Sequence, residues 1–148
     1  MKPSRKVLYA IEAVLDIAYH AGGEPVQSRE ITRRQNIPRR YLEQTLQQLV
    51  HHDILIGVRG PHGGYRLARE RRRITVGEIV RVVQEQDAES GDVTPASELG
   101  QRVIHPMWQE IHDELMKKLD DTTIDDLCRQ AYKENIASES NKKMDFII

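Results

Sequence analysis

Hydrophobic residues recur along most of the chain at the three- and four-residue spacing that is typical of helices. The first such segment runs from Ser4 to Ala21, where Ser4 can cap a helix and Gly22-Gly23 can end it. The spacing predicts that one face of this helix is buried. That face carries Leu8, Ile11, Leu15 and Ala18.

Two further helices follow in close succession. The pattern predicts a short helix from Ser28 to Gln35 with Ser28 as its cap, a left-handed turn at Asn36, and a third helix that begins at Pro38. The buried stripe of the third helix is predicted to contain Tyr41, Leu42, Leu46, Leu49 and Val50. Its outer face carries Arg39, Arg40, Glu43, Gln44 and Gln47. Two helices joined by a short turn, the second polar on its outer face, indicate a helix-turn-helix.

Alternating residues after the third helix predict two short strands, Leu55 to Arg59 and Gly64 to Ala68, joined by a glycine-rich tip. The cluster of arginines from Arg69 to Arg73 is expected to be a solvated turn. With arginines at the start of the third helix and at Arg59, the helix could enter a major groove while the hairpin lies against the DNA backbone or the minor groove. This arrangement is a winged helix-turn-helix.

The remainder of the chain is predicted to be helical as well. Thr75 to Gln86 has helical spacing, residues 87–100 have none and are expected to form a loop, and a helix is expected from about His105. Thr123 opens a capping box with Asp126 and thus a last helix to about Glu134. The tail from Asn135 is expected to be mobile.

The helix near His105 carries the longest hydrophobic stripe of the sequence: Val103, Ile104, Met107, Trp108, Ile111, Leu115 and Leu119. Such a stripe, remote from the basic segment, requires a partner surface, and a second copy of the same helix would give a two-fold dimer. The predicted dimer interface consists of Ile104, Trp108, Ile111 and Leu115.

The predicted fold class is mainly α with a small β-hairpin wing. We predict a DNA-binding winged helix-turn-helix domain at 1–86, a loop at 87–100, a dimerisation helix with a short C-terminal helix at 101–134, and a mobile tail at 135–148.

Charge is distributed unevenly along the 148 residues, although the net charge is only −1. Residues 1–73 contain fourteen Lys and Arg against seven Asp and Glu, a net charge of +7, whereas residues 74–148 contain eight against sixteen, a net charge of −8. A basic half of this kind favours binding to a polyanion. The alternative is that the two halves simply attract each other.

Composition excludes several other classes of protein. Aromatic residues make up 5% of the chain, which weakens any model based on base stacking with single strands or RNA. Apolar segments are too short for a membrane helix, and no signal peptide is expected. The single cysteine, Cys128, excludes an internal disulfide and favours a reducing, cytoplasmic setting.

Five sequence segments resemble the Rrf2 family of bacterial winged-helix regulators, which includes IscR, NsrR and CymR. They are YLEQTLQQL from Tyr41, VRGPHGGYRLAR from Val58, ITVGEIVRVV from Ile74, and HPMW from His105 followed by TTIDDL. The resemblance covers Met1 to Ala131. It implies a cytoplasmic homodimer that joins through the long C-terminal helix and binds a palindromic operator on double-stranded DNA, acting as a transcriptional repressor.

The resemblance also implies which residues contact DNA: Ser28, Arg39, Arg40, Tyr41, Glu43, Gln44, Arg59, His62 and Gly63. Side-chain chemistry is compatible with this, because arginine can pair with guanine, glutamine with adenine, and glutamate with cytosine N4. Glu43 could therefore read a base. Alternatively, it could pair locally with Arg39 or Arg40 on the same helix.

Many relatives hold an iron–sulfur cluster through three loop cysteines, and this chain departs from that pattern. The corresponding positions lie near Ser90, Ala96 and Arg102, none of which is a cysteine. His105 matches a ligand position, but a single histidine more often serves as a polar residue at a helix start. The Cys128 side chain is expected to pack in the core without a chemical role. We therefore expect no cofactor. Such a regulator could respond to a small metabolite or a partner protein, or it could act constitutively.

Two other functions agree less well with the sequence. The winged helix could be a docking module that recruits a partner enzyme, with DNA binding secondary, although its arginines argue against this because docking surfaces are depleted in charge. An enzyme is not expected, because the sequence contains no phosphate-binding glycine loop, paired carboxylates or nucleophile–base set.

Overall fold

A computed structural model of the protein describes residues 2–87 and 95–139. Within these ranges the helices are α1 (Arg5–Tyr19), α2 (Ser28–Gln35), α3 (Arg39–His51), α4 (Val76–Asp87), α5 (His105–Asp120) and α6 (Ile124–Lys133). The strands β1 (Leu55–Val58) and β2 (Gly64–Leu67) form an antiparallel hairpin. The predicted fold class, mainly helical with a small β-hairpin, is confirmed.

The helix-turn-helix formed by α2 and α3 has the predicted turn but different caps. Asn36 adopts the left-handed conformation, with φ 54°, that closes α2. The prediction that Ser28 caps α2 is wrong: Gln27 occupies the cap position, and its backbone N–H donates to the Glu30 carboxylate at 2.8 Å. Pro38 likewise precedes α3 as its cap rather than beginning it.

An isolated β-bridge attaches the wing hairpin to the segment that leads into the helix-turn-helix. Val26, just before α2, exchanges backbone hydrogen bonds of 2.9 and 2.8 Å with Tyr65 of β2. Gly64 permits this close approach, because it has φ 155° and a Cβ there would collide with the Val26 carbonyl. The wing is thereby positioned next to the start of α2.

Helix α1 lies at the centre of the core, but with a different buried face from the predicted one. Its buried face contains Ala10, Ala13, Val14 and Ile17 together with the predicted Ala18. Leu8 is exposed, while Ile11 and Leu15 are only partly buried. The small alanines on the true face allow the other helices to pack closely around α1, a feature that a count of large apolar residues overlooks.

The C-terminal half packs on α1 through α4 and α6. Thr75 and Glu78 cap α4 reciprocally, and Thr123 and Asp126 cap α6 as predicted. Arg81 of α4 forms a two-bond ion pair with Asp120 at the end of α5, with distances of 2.6 and 2.7 Å. A π-helical turn, Gly100–Ile104, leads into α5.

The arginine-rich segment after β2 is more structured than predicted. Arg71–Arg73 forms a 3₁₀ turn, Arg69 pairs with Glu78 at 3.1 Å, and Arg71 pairs with Asp125 at 2.8 Å. This segment therefore connects the wing to α4 and α6 instead of forming a purely solvated turn.

The segment that follows α6 lies against α1. Ser138 is buried and donates a 2.7 Å hydrogen bond to the Tyr19 carbonyl, while the Tyr19 hydroxyl donates to the Ile136 carbonyl. The predicted mobile tail thus includes four residues, 136–139, that are docked, whereas 140–148 lie outside the described residues. Most of the predicted loop, at 88–94, lies outside them too. No helix in the described part of the chain is long and apolar enough to cross a membrane.

Candidate nucleic-acid interface

The N-terminal turns of α3 present the predicted recognition residues to solvent. Arg39, Arg40, Glu43 and Gln44 are exposed. Tyr41 had been predicted in the buried stripe, but its side chain is half exposed. Lys6 of α1 lines a narrow cleft together with Tyr41 and Gln44. This arrangement places a cation beside the recognition helix.

Glu43 pairs locally in the absence of a ligand. Its carboxylate accepts a 3.1 Å hydrogen bond from Nε of Arg39, one turn earlier, and both side chains are mostly exposed. The local pairing considered from the sequence therefore exists in the free protein. Because the pair is exposed, it can open at little cost when a base or a phosphate competes for either partner.

The wing carries its predicted residues on a compact tip. Arg59 and His62 are exposed, and Gly63 is partly buried. The Gly63 N–H donates a 2.9 Å hydrogen bond to the Gly60 carbonyl, which closes the tip. A Cβ on Gly63 would overlap the Val58 carbonyl, so a larger residue there would open the tip.

The structure brings the wing tip and the start of α2 together. His62 lines the same cleft as Gln27 and Arg29, and Ser28 lies between those two residues, partly buried. Arg29 and Arg33 of α2 are further exposed cations, which were not among the predicted site residues. The signal that could have identified them is their position on the first helix of a helix-turn-helix in a basic half.

A buried ion pair orients α2 on α1. Asp16 is only 2% exposed and accepts hydrogen bonds from Arg34 Nε and Nη2, at 2.9 and 2.8 Å, and from Gln35 Nε2 at 2.8 Å. This contact raises the pKa of the Arg34 guanidinium, so the charge is permanent. Asp16 was missed because an aspartate within a helix does not stand out in a sequence.

The environment of a histidine next to this ion pair favours the neutral form of its ring. Burial lowers the pKa of His20, and the nearby Arg34 charge lowers it further. The His20 Nδ1 atom accepts a 3.0 Å hydrogen bond from the Glu139 backbone N–H, which requires that nitrogen to be unprotonated. The docked C-terminal segment, α1 and the helix-turn-helix therefore meet at one point.

The stripe on α5 is exposed in the single chain. The four predicted interface residues have exposed fractions of 45 to 55%, with Trp108 at 53%. They are Ile104, Trp108, Ile111 and Leu115. Leu119, at the end of the stripe, is partly buried in the chain's own core instead.

The potential metal ligands among the described residues do not form a metal site. His105 lies exposed at the start of α5, Cys128 is buried on α6, and the expected ligand position near Ser90 lies outside the described residues. Among the described residues there is no group of three or more His, Cys, Asp or Glu side chains that could hold a metal ion.

Comparison with known proteins agrees with this architecture. A model of the Rrf2 family, described as an iron-dependent transcriptional regulator, matches residues 3–130. The HTH-type transcriptional regulator IscR of Sodalis glossinidius is 36% identical over 129 residues, covering 86% of this chain and 78% of that protein. IscR of Pectobacterium atrosepticum is 32% identical, covering 95% and 87%.

Two solved structures are similar along nearly the whole chain. T. potens IscR superposes with a TM-score of 0.75 at 32% identity, covering 93% of each chain. CymR, described as the global cysteine regulator of B. subtilis, superposes with a TM-score of 0.70 at 31% identity, covering 88% of this chain and 98% of its own.

Proposed function

The chain belongs to the Rrf2 family and is a DNA-binding transcription regulator, and we propose that it acts as a homodimeric repressor on a palindromic operator. The observation that carries this proposal is the exposed, cation-bearing start of α3 beside a wing with an exposed arginine. An interface of this kind combines base contacts from a helix with backbone contacts from a hairpin. The alternative of a docking module is not favoured, because the relatives are named as transcriptional regulators.

In the proposed complex, each residue type has a distinct role. Arg39, Arg40 and Gln44 read base edges, since arginine and glutamine can form paired hydrogen bonds with guanine and adenine. Arg59 and His62 contact the backbone from the wing, while Ser28 binds a phosphate at the start of α2. Glu43 releases Arg39 and accepts a hydrogen bond from the N4 amino group of cytosine. Its position in the first two turns of α3 supports that role.

Dimerisation through α5 would bury the exposed stripe. Large apolar side chains at four helical positions, each about half exposed, form a contiguous patch of a kind that marks an interaction surface. A two-fold axis across this patch would pair Trp108 and Ile111 with the same residues of a second copy. The two recognition helices would then meet successive turns of a duplex with a palindromic sequence.

The family is described as iron-dependent, so we tested whether the residues of this chain fit an iron–sulfur cluster. An iron–sulfur cluster is held chiefly by cysteine thiolates, and this chain has a single cysteine. Cys128 is 3% exposed on α6, and burial raises the pKa of its thiol, which disfavours the thiolate. These residues do not fit a cluster. We propose that this regulator binds DNA without a metal or other cofactor and has no enzymatic activity, acting in the cytoplasm where its operator lies.

The test is binding of the purified protein to a duplex from its own promoter, measured by fluorescence anisotropy at several salt concentrations. The expected result is a steep fall of affinity with salt and a weaker affinity for a scrambled duplex. Equal affinity for the two duplexes would contradict operator recognition. Transcription from the same promoter in vitro, with and without the protein, separates repression from activation.

A further inference from the structure

A cleft between the 3₁₀ turn and α6 is lined by cations, although this half of the chain is acidic. Its volume is about 390 Å³, within the range typical of small-ligand sites. Arg71, Arg129 and Lys133 line it, and no Asp or Glu of the described chain does so. Tyr19, Tyr132 and Cys128 also line it.

The arginines of this cleft are held in place but are not neutralised. Arg71 uses Nε and Arg129 uses Nη2 to bind the two oxygens of one carboxylate, Asp125, each at 2.8 Å. Two guanidinium groups therefore share a single negative charge. Their side chains remain 50% and 68% exposed, so further N–H donors are accessible to a ligand. Nearby Arg69 and Arg72 differ, since each has its own glutamate.

We propose that this cleft binds a small organic anion, a carboxylate or phosphate on an aromatic or apolar body, as the effector of the regulator. Guanidinium groups match the paired oxygens of both anions, and Asp125 orients them before the ligand arrives. Tyr132 is 70% exposed and offers a ring face to the apolar part of the ligand.

A continuous set of contacts joins this cleft to the helix-turn-helix. Ser138 and Tyr19 form one wall, linked by the 2.7 Å bond from the Ser138 hydroxyl to the Tyr19 carbonyl. The next residues along each segment, Glu139 and His20, are joined by a 3.0 Å bond, and His20 lies against Asp16, which holds Arg34 of α2. A ligand that moves this wall would change how α2 is held. The effector role rests on the proposed function, whereas ligand binding does not.

Binding is tested without DNA, on the ¹⁵N-labelled full-length protein titrated with phenyl phosphate at constant ionic strength. We expect saturable NMR shifts of the Arg71 and Arg129 side chains and of amides around Cys128 and Tyr132, half complete at or below about 1 mM. Arg129→Gln should weaken binding about tenfold or more, the cost of a charged hydrogen bond. Arg72→Gln removes an arginine from the 3₁₀ turn that carries Arg71, and it should leave the affinity for phenyl phosphate unchanged. A parallel titration with benzoate tests whether a carboxylate binds in the cleft as the phosphate does.

A second measurement uses the single cysteine of the unmodified chain. Saturating phenyl phosphate should slow alkylation of Cys128 by iodoacetamide, and sodium chloride at the same ionic strength should not. Absence of saturable binding, equal binding of neutral phenol, or equal effects of the two glutamine variants would overturn the site.

The effector role has its own readout. Phenyl phosphate should change the affinity for the promoter duplex in the unmodified protein and not in Arg129→Gln. Saturable binding with unchanged operator affinity would overturn the effector role. A chain that binds the anion but recognises no operator would instead contradict the proposed function, so the two failures are distinguishable.

Discussion

Asp16 of α1 and Arg34 of α2 form a two-bond ion pair inside the protein, with the Asp16 side chain fully shielded from solvent. Gln35 adds a third hydrogen bond to the same carboxylate. This pair sets the position of α2, and hence of the helix-turn-helix, relative to the central helix of the core.

Removal of the Asp16 carboxylate should destabilise the fold and impair DNA binding together. Asp16→Ala leaves Arg34 charged and without its partner in a largely buried site, which typically costs about 3–5 kcal/mol in the free energy of unfolding. Urea denaturation measures this. Glu98→Ala removes the exposed Glu98–Arg102 pair and should cost less than about 1 kcal/mol. Similar losses in the two variants would contradict the assigned role of Asp16.

The two proposed kinds of DNA contact should respond differently to truncation. Arg59→Ala should weaken binding to every duplex and reduce the slope of affinity against salt by about one unit, because one phosphate contact is lost. Arg72→Ala is the control, since its side chain is similarly exposed and lies outside the proposed interface. An unchanged salt slope in Arg59→Ala would exclude the wing contact.

Glu43→Ala should alter sequence preference more than overall affinity. The substitution removes the proposed acceptor for cytosine N4 and also frees Arg39 from its 3.1 Å contact. Selection of binding sites from a random duplex library measures preference directly. Glu43→Gln is a useful comparison because it keeps the size of the side chain. If both variants select the wild-type operator, Glu43 acts only as the local partner of Arg39.

A charge placed on the α5 stripe should separate the proposed dimer. Trp108→Asp introduces a carboxylate that would be buried against its own copy, and operator affinity should fall because two linked half-sites are no longer bound together. Sedimentation velocity gives the mass. Gln109→Asp adds the same charge at the neighbouring residue, off the stripe, and should remain dimeric. A dimeric Trp108→Asp protein would rule out this interface.

Stability should fall in mildly acidic solution through His20. Burial and Arg34 lower its pKa below the ordinary value of 6.5, despite opposing effects of Asp16, Glu139 and Glu30. The unfolded chain therefore takes up the proton first, so the stabilisation is complete above about pH 6.5 and is lost as the pH falls through the folded-state pKa. Protonation also removes the acceptor for the Glu139 N–H.

Urea denaturation at about pH 7.5 and about pH 5.5 tests this dependence. His20→Asn keeps an acceptor near the Nδ1 position but cannot titrate, so its loss of stability between the two pH values should be smaller than that of the wild type. Equal losses would mean that other groups account for the pH dependence.

DNA binding should not depend on iron. Protein purified anaerobically with iron and sulfide available should be colourless, and a chelator or air should leave its operator affinity unchanged, because a single buried thiol cannot hold a cluster. Absorption spectra and iron analysis measure this. A brown protein with stoichiometric iron would contradict the proposal.

Local patterns in the sequence determined most of the elements. Helix spacing, the turn at Asn36, the glycine-rich wing tip and the capping box at Thr123 each depend on residues a few positions apart, so they could be predicted without the fold. The exposed stripe on α5 and the arginines at the start of α3 were predicted for the same reason: each is a periodic or clustered feature of one segment.

Contacts between distant segments were decided only by the tertiary structure. Asp16 with Arg34, Arg71 with Asp125, and Ser138 with Tyr19 join residues 18 to 119 positions apart, and nothing in the local sequence indicates such pairs. The buried face of α1 was misjudged because alanines lie where neighbouring helices approach closely. Packing and charge pairing depend on which surfaces meet, and that is settled only when the whole chain has folded.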